Sequence, residues 1–381
     1  MSLSLPQEWS SSKPRTVLRP PVLIIDRNPT GSNVGVQQEN HSHSPQSSHW
    51  HVRCLTRNPS SEAAQALAAL GAEIVQADLS SVGSLVLEFS SASVIFVNTD
   101  FWQVYRGALA AGKSNDDASQ LAYDTEISWG KNAATAASQI PELEKYIYST
   151  FGSMKAASGG KYARCYHFEA KGVVATHITT NMAQLAAKTS YIYASAYSDN
   201  PLLYPHRVPF GTPWILWLVS KLPFLVRFLP RPPATTEKPK EKKVSGGGQY
   251  LMAVPGKMSM KIPVFIPHLS TGGYVRCLVE DEPAGTKLLA VDWWIGLEEG
   301  MQTWEKVTGR KPHFMQATVQ LLCQITGMRE EVVEGAAFLA EFPYMREVKN
   351  WIEPSGLKNP PPKTMSFEEY LRTRDVQELL V

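Results

Sequence analysis

Residues 51–79, HVRCLTRNPSSEAAQALAALGAEIVQADL, decide the fold class of this chain. Polar and apolar side chains alternate over residues 51–56, which predicts a half-buried strand. A helix capped by Ser60 follows, and residues 73–77 form a second strand that ends at Asp78. A strand, a helix and a second strand in immediate succession are typical of a parallel sheet with helical crossovers.

The same alternation extends in both directions from this stretch. Further strands are predicted at residues 22–25, 94–97, 146–150 and 191–194. Further helices are predicted at residues 81–89, 119–137 and 165–176. The sequence therefore predicts an α/β protein, with a Rossmann-like, doubly wound parallel sheet over residues 16–204 that follows a disordered N-terminus at residues 1–15.

The alternation breaks near Pro201, and an insert and a second domain follow. Residues 205–248 combine an apolar stretch, residues 213–230, with a loop rich in Pro, Lys and Gly. The apolar stretch is too short and too interrupted to cross a bilayer, and two interpretations stay open: a buried lid, or a helix on a membrane surface. Residues 249–381 are predicted to form a smaller α+β domain for a substrate or partner, with strands at 258–266, 275–279 and 287–291 and helices at 297–308 and 315–339.

Composition and charge limit the class of protein and its partners. Of the 381 residues, 43% are hydrophobic and 19% are charged, and a net charge of +2 gives no electrostatic basis for direct binding of nucleic acid. The four cysteines are far apart in sequence, which argues against a zinc site or a disulfide framework and fits a reducing compartment. The N-terminus lacks the continuous apolar segment of a secretory signal, so a cytoplasmic location is expected.

Ligands of this fold bind at the carboxyl ends of the strands, so the residues there form the candidate site. Arg57 follows one strand at the position where NAD-specific sites carry a carboxylate; a guanidinium suits the 2′-phosphate of NADP(H), and the alternative is an ordinary surface arginine. Asp78 is either an acceptor for the adenine amino group or a helix cap. The dinucleotide is expected to cross the sheet edge at Thr99, Asp100 and Phe101.

One predicted helix and the strand before it carry the candidate catalytic groups. His167 and Lys171 are four residues apart and share a helix face, and Ser149 lies near the end of the preceding strand. Lys171 is predicted to hold the nicotinamide ribose, and His167 or Ser149 to donate a proton near neutral pH. The alternative is a solvated lysine and a structural histidine.

The segment after the first strand departs from a glycine-rich phosphate loop. It keeps two glycines among Thr30, Gly31, Ser32, Asn33, Val34 and Gly35. No metal is predicted, although a Ser-rich stretch without acidic or cysteine partners carries four histidines, His41, His43, His49 and His51.

Several of these stretches together resemble the NmrA-like family, whose members are atypical short-chain dehydrogenases/reductases. They are the stretch quoted above and VIFVNTDFW (94–102), GKNAATAA (130–137), YIYSTFGSM (146–154) and HFEAKGVV (167–174). The resemblance covers residues 20–200 and extends more weakly over residues 250–375. Because the family includes NADP(H)-sensing regulators and oxidoreductase-like proteins, it implies a Rossmann-like fold and NADP(H) as the cofactor.

The resemblance also implies where the cofactor contacts fall. Residues 30–35 would be the phosphate loop, and Asp78 and Leu79 would contact the adenine. Lys171 would hold the ribose, and Thr99, Asp100 and Phe101 would line the crossing point. The 2′-phosphate would be held by Arg57, Asn58, Pro59, Ser60 and Ser61. The nicotinamide end would be covered by Tyr197, Ser198, Asp199 and Asn200.

The resemblance leaves the function open. Classical short-chain dehydrogenases use a Tyr-x-x-x-Lys motif, and His167 stands at the tyrosine position here. The first hypothesis is an NADP-dependent oxidoreductase acting on a small organic substrate of secondary metabolism. The second is a redox sensor that binds NADP(H) and a protein partner without turnover, which the missing tyrosine favours. A third is a chain without activity.

Overall fold

The computed structural model describes residues 22–27, 50–208, 211, 248–326 and 328–380. The strands in this part of the chain are β1 (Val22–Arg27), β2 (Trp50–Thr56), β3 (Glu73–Gln76), β4 (Val94–Val97), β5 (Lys145–Thr150), β6 (Thr189–Ala194), β7 (Ala196–Tyr197), β8 (His206–Val208), β9 (Gln249–Val254), β10 (Lys261–Phe265), β11 (Lys287–Ala290), β12 (Trp293–Gly296), β13 (Pro312–Gln316) and β14 (Trp351–Ile352).

The helices are numbered over the same residues. They are α1 (Glu62–Ala69), α2 (Val82–Phe89), α3 (Phe101–Ala110), α4 (Asn115–Ala137), α5 (Met154–Ala157), α6 (Tyr166–Asn181), α7 (Ala183–Ala186), α8 (Pro267–Glu280), α9 (Leu297–Thr308), α10 (Val319–Thr326), α11 (Glu330–Glu341), α12 (Phe367–Thr373) and α13 (Val376–Leu379). Single turns of 3-10 helix lie at Pro201–Leu203 and Pro354–Gly356.

The main sheet is covered by helices on both faces. Its eight strands among the described residues run in the order β14-β11-β6-β5-β4-β1-β2-β3. Strand β2 is parallel to β3, and the pairs that lead from β4 through β5, β6 and β11 to β14 are also parallel. The sheet order and the two covered faces confirm the Rossmann-like, doubly wound α/β fold.

Alternation along β5 shows how the two faces are filled. Tyr146 and Tyr148 are fully buried in the cluster that also contains Val174 of α6, on one face of the sheet. Ile147 is fully buried in the other cluster, together with Leu278 of α8. Because successive side chains of a strand point to opposite faces, the apolar sequence of β5 packs a helix on each side.

Strand β1 corrects the expectation that every strand of this part of the sheet is parallel. It runs antiparallel to both of its neighbours, and Val22 pairs with Leu55 of β2 and with Val97 of β4. A parallel pair needs a crossover, usually a helix, whereas an antiparallel pair does not. The sequence between β1 and β2 is polar, contains Pro45 and favours no helix, so nothing in it requires the parallel arrangement.

The C-terminal part of the chain contributes to the main sheet and also forms two small sheets. Strands β11 and β14 extend the main sheet beyond β6. The two small sheets have the orders β12-β10-β7 and β13-β9-β8. The division into a domain at residues 16–204, an insert at 205–248 and a domain at 249–381 stays a prediction, and the main sheet draws strands from both sides of the insert.

Two predicted elements of the C-terminal part are wrong. Residues 275–279 were expected to be a strand and lie within helix α8, because a short apolar run has no periodicity that separates a strand from a buried helix. The single helix expected at residues 315–339 is two helices, α10 and α11, and its first residues belong to β13.

The membrane interpretation of the insert is untested. Within the described residues, no helix combines the length and the apolar character that a bilayer span needs. The apolar stretch at residues 213–230 lies outside the described residues, so the lid and the surface helix both stay predictions.

Candidate functional site

The carboxyl ends of β2, β3 and β4 meet at one edge of the sheet and form a cleft. It encloses about 440 Å³ of empty space, part of it open to solvent. Its walls combine aliphatic side chains with one arginine, two carboxylates and one indole. The lining residues are Leu55, Arg57, Ala77, Asp78, Leu79, Leu85, Asp100, Gln103 and Trp129. The structure thus brings together four residues that the sequence predicts for the cofactor, namely Arg57, Asp78, Leu79 and Asp100.

Arg57 lies at the rim of this cleft, on the turn between β2 and α1. Its guanidinium carbon lies 5.4 Å from the centroid of the Trp129 ring. Asn58 shapes the turn, because its Oδ1 accepts hydrogen bonds from the Ser60 backbone N at 3.1 Å and from Ser60 Oγ at 2.7 Å. Ser61, not the predicted Ser60, caps α1, and its Oγ accepts from the Ala64 backbone N at 3.3 Å.

Asp78 and Leu79 form the wall after β3. Asp78 Oδ1 accepts from the Ser80 backbone N at 2.8 Å, and the cap of the following helix α2 is Ser81 rather than Asp78. The carbonyl oxygen of Leu79 accepts from Asn132 Nδ2 at 2.9 Å, which joins this wall to α4. Asp78 therefore lines the cleft while one of its carboxylate oxygens fixes the loop that follows β3.

Three residues after β4 point to different surroundings. Asp100 caps α3, and its Oδ1 accepts from the Gln103 backbone N at 3.2 Å. Phe101 is buried, with its ring 6.1 Å from that of Tyr105. Thr99 is also buried and donates from Oγ1 to Glu126 Oε1 at 2.7 Å. Asp100 alone of the three lines the cleft.

Lys171 is a buried residue of α6 that binds the end of β4. Its Nζ donates to the carbonyl oxygen of Thr99 at 2.7 Å, to Thr99 Oγ1 at 2.9 Å and to Asn98 Oδ1 at 3.2 Å. Glu126 Oε1 lies 3.2 Å from the same nitrogen. An ammonium has three N–H groups, so protein acceptors are sufficient to occupy all of them.

His167 lies one turn before Lys171 on α6, among aromatic rings. Its ring centroid is 4.9 Å from those of Trp102 and Phe168. Its Nδ1 lies 3.7 Å from Oε1 of Glu331, a buried residue of α11. The thiol of Cys165 is 3.9 Å from both ring nitrogens and so is aimed at neither. Burial raises the pKa of Cys165 well above its usual value, which keeps this thiol protonated.

Glu331 is held by a serine of α4 and lies near the arginine that precedes it in sequence. Its Oε2 accepts from Ser119 Oγ of α4 at 2.8 Å, and Arg329 Nε lies 4.0 Å away. Its Oε1 is buried and has no hydrogen-bond partner among the described residues. The free oxygen of this carboxylate is therefore the one that faces His167 Nδ1.

This part of the chain is similar to a known protein family. Residues 31–205, a little less than half of the chain, match the sequence model of the NmrA-like family. An NmrA-like family domain-containing oxidoreductase of Aspergillus hancockii is 32% identical over 152 residues, which span 40% of this chain and 40% of the relative. The match therefore leaves more than half of the relative's length uncovered.

Solved structures share the fold of this chain at low sequence identity. The crystal structure of NmrA, a negative transcriptional regulator, in complex with NADP has a TM-score of 0.53 at 17% identity, over 84% of this chain and 86% of that one. The leucoanthocyanidin reductase of Vitis vinifera, in binary complex with NADPH, has a TM-score of 0.54 at 13% identity, over 86% and 90%. At these identities the likeness shows the fold alone.

Other predicted site residues lie outside this cleft. Ser149 is half-buried on β5, and strand alternation places it on the opposite face of the sheet from Tyr148. Tyr197 belongs to β7, and its ring lies 5.3 Å from that of Phe265. Ser198 is buried and Asp199 is exposed.

Asn200 completes the segment predicted to cover the nicotinamide end. Its Oδ1 accepts from the Leu202 backbone N at 3.0 Å and caps a turn of 3-10 helix. Tyr197 packs with the cluster on the α8 face of the sheet, whereas Lys171 and His167 belong to α6 on the other face. The role of Tyr197, Ser198, Asp199 and Asn200 stays a prediction.

The predicted phosphate loop, Thr30, Gly31, Ser32, Asn33, Val34 and Gly35, lies outside the described residues. Strand β1, which precedes it, ends at Arg27, and this residue pairs with Trp50 at the start of β2. The cleft lies at the opposite end of β2. Arg27, the last described residue before the loop, therefore lies at the opposite end of the strands from Arg57.

Of the four histidines that were considered as metal ligands, the structure describes His51 alone. His51 Nε2 lies 3.4 Å from Glu73 Oε2. Within the described residues, no three His, Cys, Asp or Glu side chains are arranged to hold a metal ion. His41, His43 and His49 lie outside those residues. The four cysteines are free thiols.

The sequence did not predict that three residues belong to this region: Glu126, Trp129 and Glu331. The first two lie on α4, within a buried stripe at helical spacing made largely of small residues. A carboxylate and an indole among buried small residues could have indicated a site, because a buried charge needs a partner. Nothing in the sequence relates Glu331 to His167.

Proposed function

We propose that this chain binds NADP(H) in the cleft at the ends of β2, β3 and β4, and that it is an oxidoreductase acting on a small organic substrate. The observation that carries the proposal is Arg57, an exposed guanidinium at the rim of a largely apolar cleft. Among the described residues, no acceptor binds its N–H groups, and a 2′-phosphate is the ligand group that matches a free guanidinium.

The cleft residues fit the adenosine end of the cofactor. Leu55, Leu79 and Leu85 offer an apolar wall for the adenine, and the Asp78 carboxylate is an acceptor for its amino group. Bound there, NADPH would supply the hydride for reduction of a carbonyl.

His167 is the proposed source of the proton. Its Nδ1 faces the Glu331 carboxylate, which leaves Nε2 to deliver a proton to the substrate oxygen. The rings of Trp102 and Phe168 beside it suit a flat, apolar substrate. Such a substrate fits the proposed role in secondary metabolism.

A non-catalytic NADP(H) sensor that acts on a protein partner is the second candidate. One observation favours it: four protein acceptors surround Lys171 Nζ, so this lysine has no N–H group left over for a ribose. The proposed enzyme must therefore work with a lysine that holds the site together rather than one that contacts the cofactor.

Two measurements on the purified chain test these proposals. Titration with NADPH, followed by calorimetry, is expected to give binding that Arg57→Leu weakens and Arg106→Leu, an exposed arginine of α3, leaves unchanged. Oxidation of NADPH with a panel of aromatic and aliphatic carbonyl compounds is expected to be lost in His167→Gln and kept in His177→Gln on the same helix.

The outcomes separate the candidates. Turnover that depends on His167, with NADPH binding retained in the variant, supports the oxidoreductase. Tight NADPH binding without turnover of any compound supports the sensor. Absence of binding to the wild-type chain refutes both.

A further inference from the structure

Trp129 is the side chain of the cleft whose role the proposed function leaves unexplained. It projects from α4 and is 9% exposed. Its ring packs in the core cluster that contains Leu55, Leu79 and Leu85, three aliphatic residues of the cleft wall. A large aromatic side chain that is packed into the core in this way offers a rigid surface, because protein cores are densely packed.

Arg57 rests on this rigid surface. Its guanidinium carbon lies 5.4 Å from the centre of the indole, within the range of a cation–π contact. Such a contact uses none of the guanidinium N–H groups, which stay available for hydrogen bonds. Within the described part of the chain, no carbonyl or carboxylate accepts from them.

Arg53, four residues earlier on β2, shows the contrast. Its guanidinium donates to the carbonyl oxygens of Glu88 at 2.8 Å and Ser90 at 3.1 Å, so it is used to close the end of α2. The two arginines of this strand region are therefore employed differently. Arg53 is bound to the protein through its N–H groups, whereas Arg57 lies beside an aromatic ring and its N–H groups have no acceptor among the described residues.

The other charges of the cleft make the position of Arg57 important for an anion. Asp78 and Asp100 both line the cleft, and each has one oxygen occupied by a backbone N–H. Their carboxylates repel a phosphate, so a phosphate is accommodated only where the guanidinium outweighs them. An arginine that moved freely in solvent would lose rotamer freedom on binding and offset less of this repulsion.

We propose that Trp129 positions Arg57 for the 2′-phosphate and thereby sets the preference of this site for NADP(H) over NAD(H). The inference rests on the proposed function, since it requires a nucleotide in the cleft. Trp129 acts through Arg57 and is a positioning residue. The size of a cation–π contact at an exposed site corresponds to about a 2- to 5-fold change in affinity.

The test is the dissociation constants of NADPH and NADH, measured by calorimetry on the full chain. Trp129→Met removes the π face, keeps an apolar side chain in part of the space and is expected to weaken NADPH by about 2- to 5-fold while leaving NADH unchanged. Trp129→Phe keeps an aromatic face and is expected to retain most of the preference. Trp294→Phe, an exposed tryptophan of β12 whose Nε1 binds Glu353, is the matched control.

A double-mutant cycle isolates the coupling between the two side chains. In the Arg57→Leu background, Trp129→Met is expected to leave the ratio of the two dissociation constants unchanged, because no guanidinium is left to position. Fluorinated tryptophans placed at position 129 keep the shape of the ring and weaken its π face. They are expected to reduce NADPH affinity stepwise, and they serve where the Met variant does not fold.

Three results would overturn the inference. Equal weakening of NADPH and NADH by Trp129→Met would make Trp129 a contact of the shared adenosine instead. An unchanged ratio in both the Met variant and the fluorinated series would remove any role in preference. Wild-type protein that binds neither nucleotide would refute the proposed function itself, which separates that failure from the first two.

Discussion

Lys171 Nζ lies 3.2 Å from Glu126 Oε1, in an ion pair whose side chains are 7% and 0% exposed. The pair joins α6 to α4, and Thr99 links both partners to the end of β4. A buried charge is tolerated only with a partner and additional hydrogen bonds, and these residues supply both. Lys171 thus fixes the position of the loop after β4, whichever function the chain performs.

Removal of Lys171 is expected to destabilise the protein strongly. Lys171→Met leaves the Glu126 carboxylate buried and unpaired, which should lower the free energy of unfolding by about 3–5 kcal/mol. Urea unfolding followed by circular dichroism measures the change. Lys171→Met combined with Glu126→Gln should recover part of the loss, because the unpaired charge is gone.

The control is Lys113→Met, which removes an exposed lysine. A Lys171→Met protein whose stability equals that of this control would contradict the assignment of the pair. The result also bears on enzymology, since activity lost in a Lys171 variant reports on catalysis only where the variant is still folded.

The residues of the cleft could be predicted from the sequence, because the carboxyl ends of neighbouring parallel strands lie side by side in a sheet. Once residues 51–79 are assigned to a strand, a helix and a strand, Arg57 and Asp78 must lie at the same edge. The chemistry of these residues then suggests a ligand. The apolar runs of β4 and β5 are similarly unambiguous, because strands covered on both faces are continuously hydrophobic.

Contacts between distant elements were not accessible in the same way. That Glu126 meets Lys171 depends on the packing angle of α4 against α6, which neither helix encodes alone. Glu331 reaches His167 from helix α11, which follows the strands of the two small sheets in sequence. The direction of β1 depends on its pairing with β2 and β4, and a short apolar strand pairs in either direction.

Two glycines of the N-terminal half offer a matched pair of substitutions. A Cβ at Gly130 of α4 would lie 2.7 Å from Val174 Cγ2 and 2.9 Å from the Tyr148 hydroxyl, both in the buried core. Gly130→Ala is therefore expected to cost about 1–3 kcal/mol of overpacking, partly offset by about 1 kcal/mol of helix propensity.

Gly107 of α3 provides the opposite case. A Cβ there meets nothing within 4 Å, so Gly107→Ala should stabilise the protein by up to about 1 kcal/mol. Urea unfolding of both variants gives the comparison. Equal effects of the same sign would show that helix propensity, not the close approach of α4 and α6, governs Gly130.

Buried tyrosines predict a loss of stability in alkali. Burial raises the pKa of Tyr193 to about 12, and it raises those of Tyr146, Tyr148 and Tyr191 further. Each of these tyrosines has a higher pKa in the folded state than the value of about 10 in the unfolded state. Its contribution to the free energy of unfolding is fully present below the unfolded pKa and is lost as the pH rises towards the folded pKa. The free energy of unfolding should therefore fall between pH 10 and 12.

Each such tyrosine contributes a slope of about 1.4 kcal/mol per pH unit in that window. Urea unfolding at pH 7, 10 and 11 measures the loss, and tyrosinate absorbance shows whether ionisation accompanies unfolding. Tyr193→Phe should reduce the slope of the free energy of unfolding against pH by the contribution of one tyrosine. Buried tyrosines that ionise at pH 10 in the folded protein would contradict the prediction.

Glu331 and His167 give the last prediction, which concerns catalysis across the two parts of the chain. Glu331→Gln keeps an acceptor for Ser119 but removes the charge that faces His167 Nδ1. With a substrate of the proposed oxidoreductase, His167→Gln should lower kcat by about 10²–10⁴-fold and Glu331→Gln by less, with the dissociation constant of NADPH unchanged in both. Because Glu331 acts only through His167, the double variant should be no slower than His167→Gln alone. If the two losses of kcat multiply in the double variant, Glu331 supports the site in some way other than through His167. The control is Ser138→Ala, which removes an exposed hydroxyl at the C-terminal end of α4. A loss of kcat in this control as large as that in Glu331→Gln would also contradict the prediction.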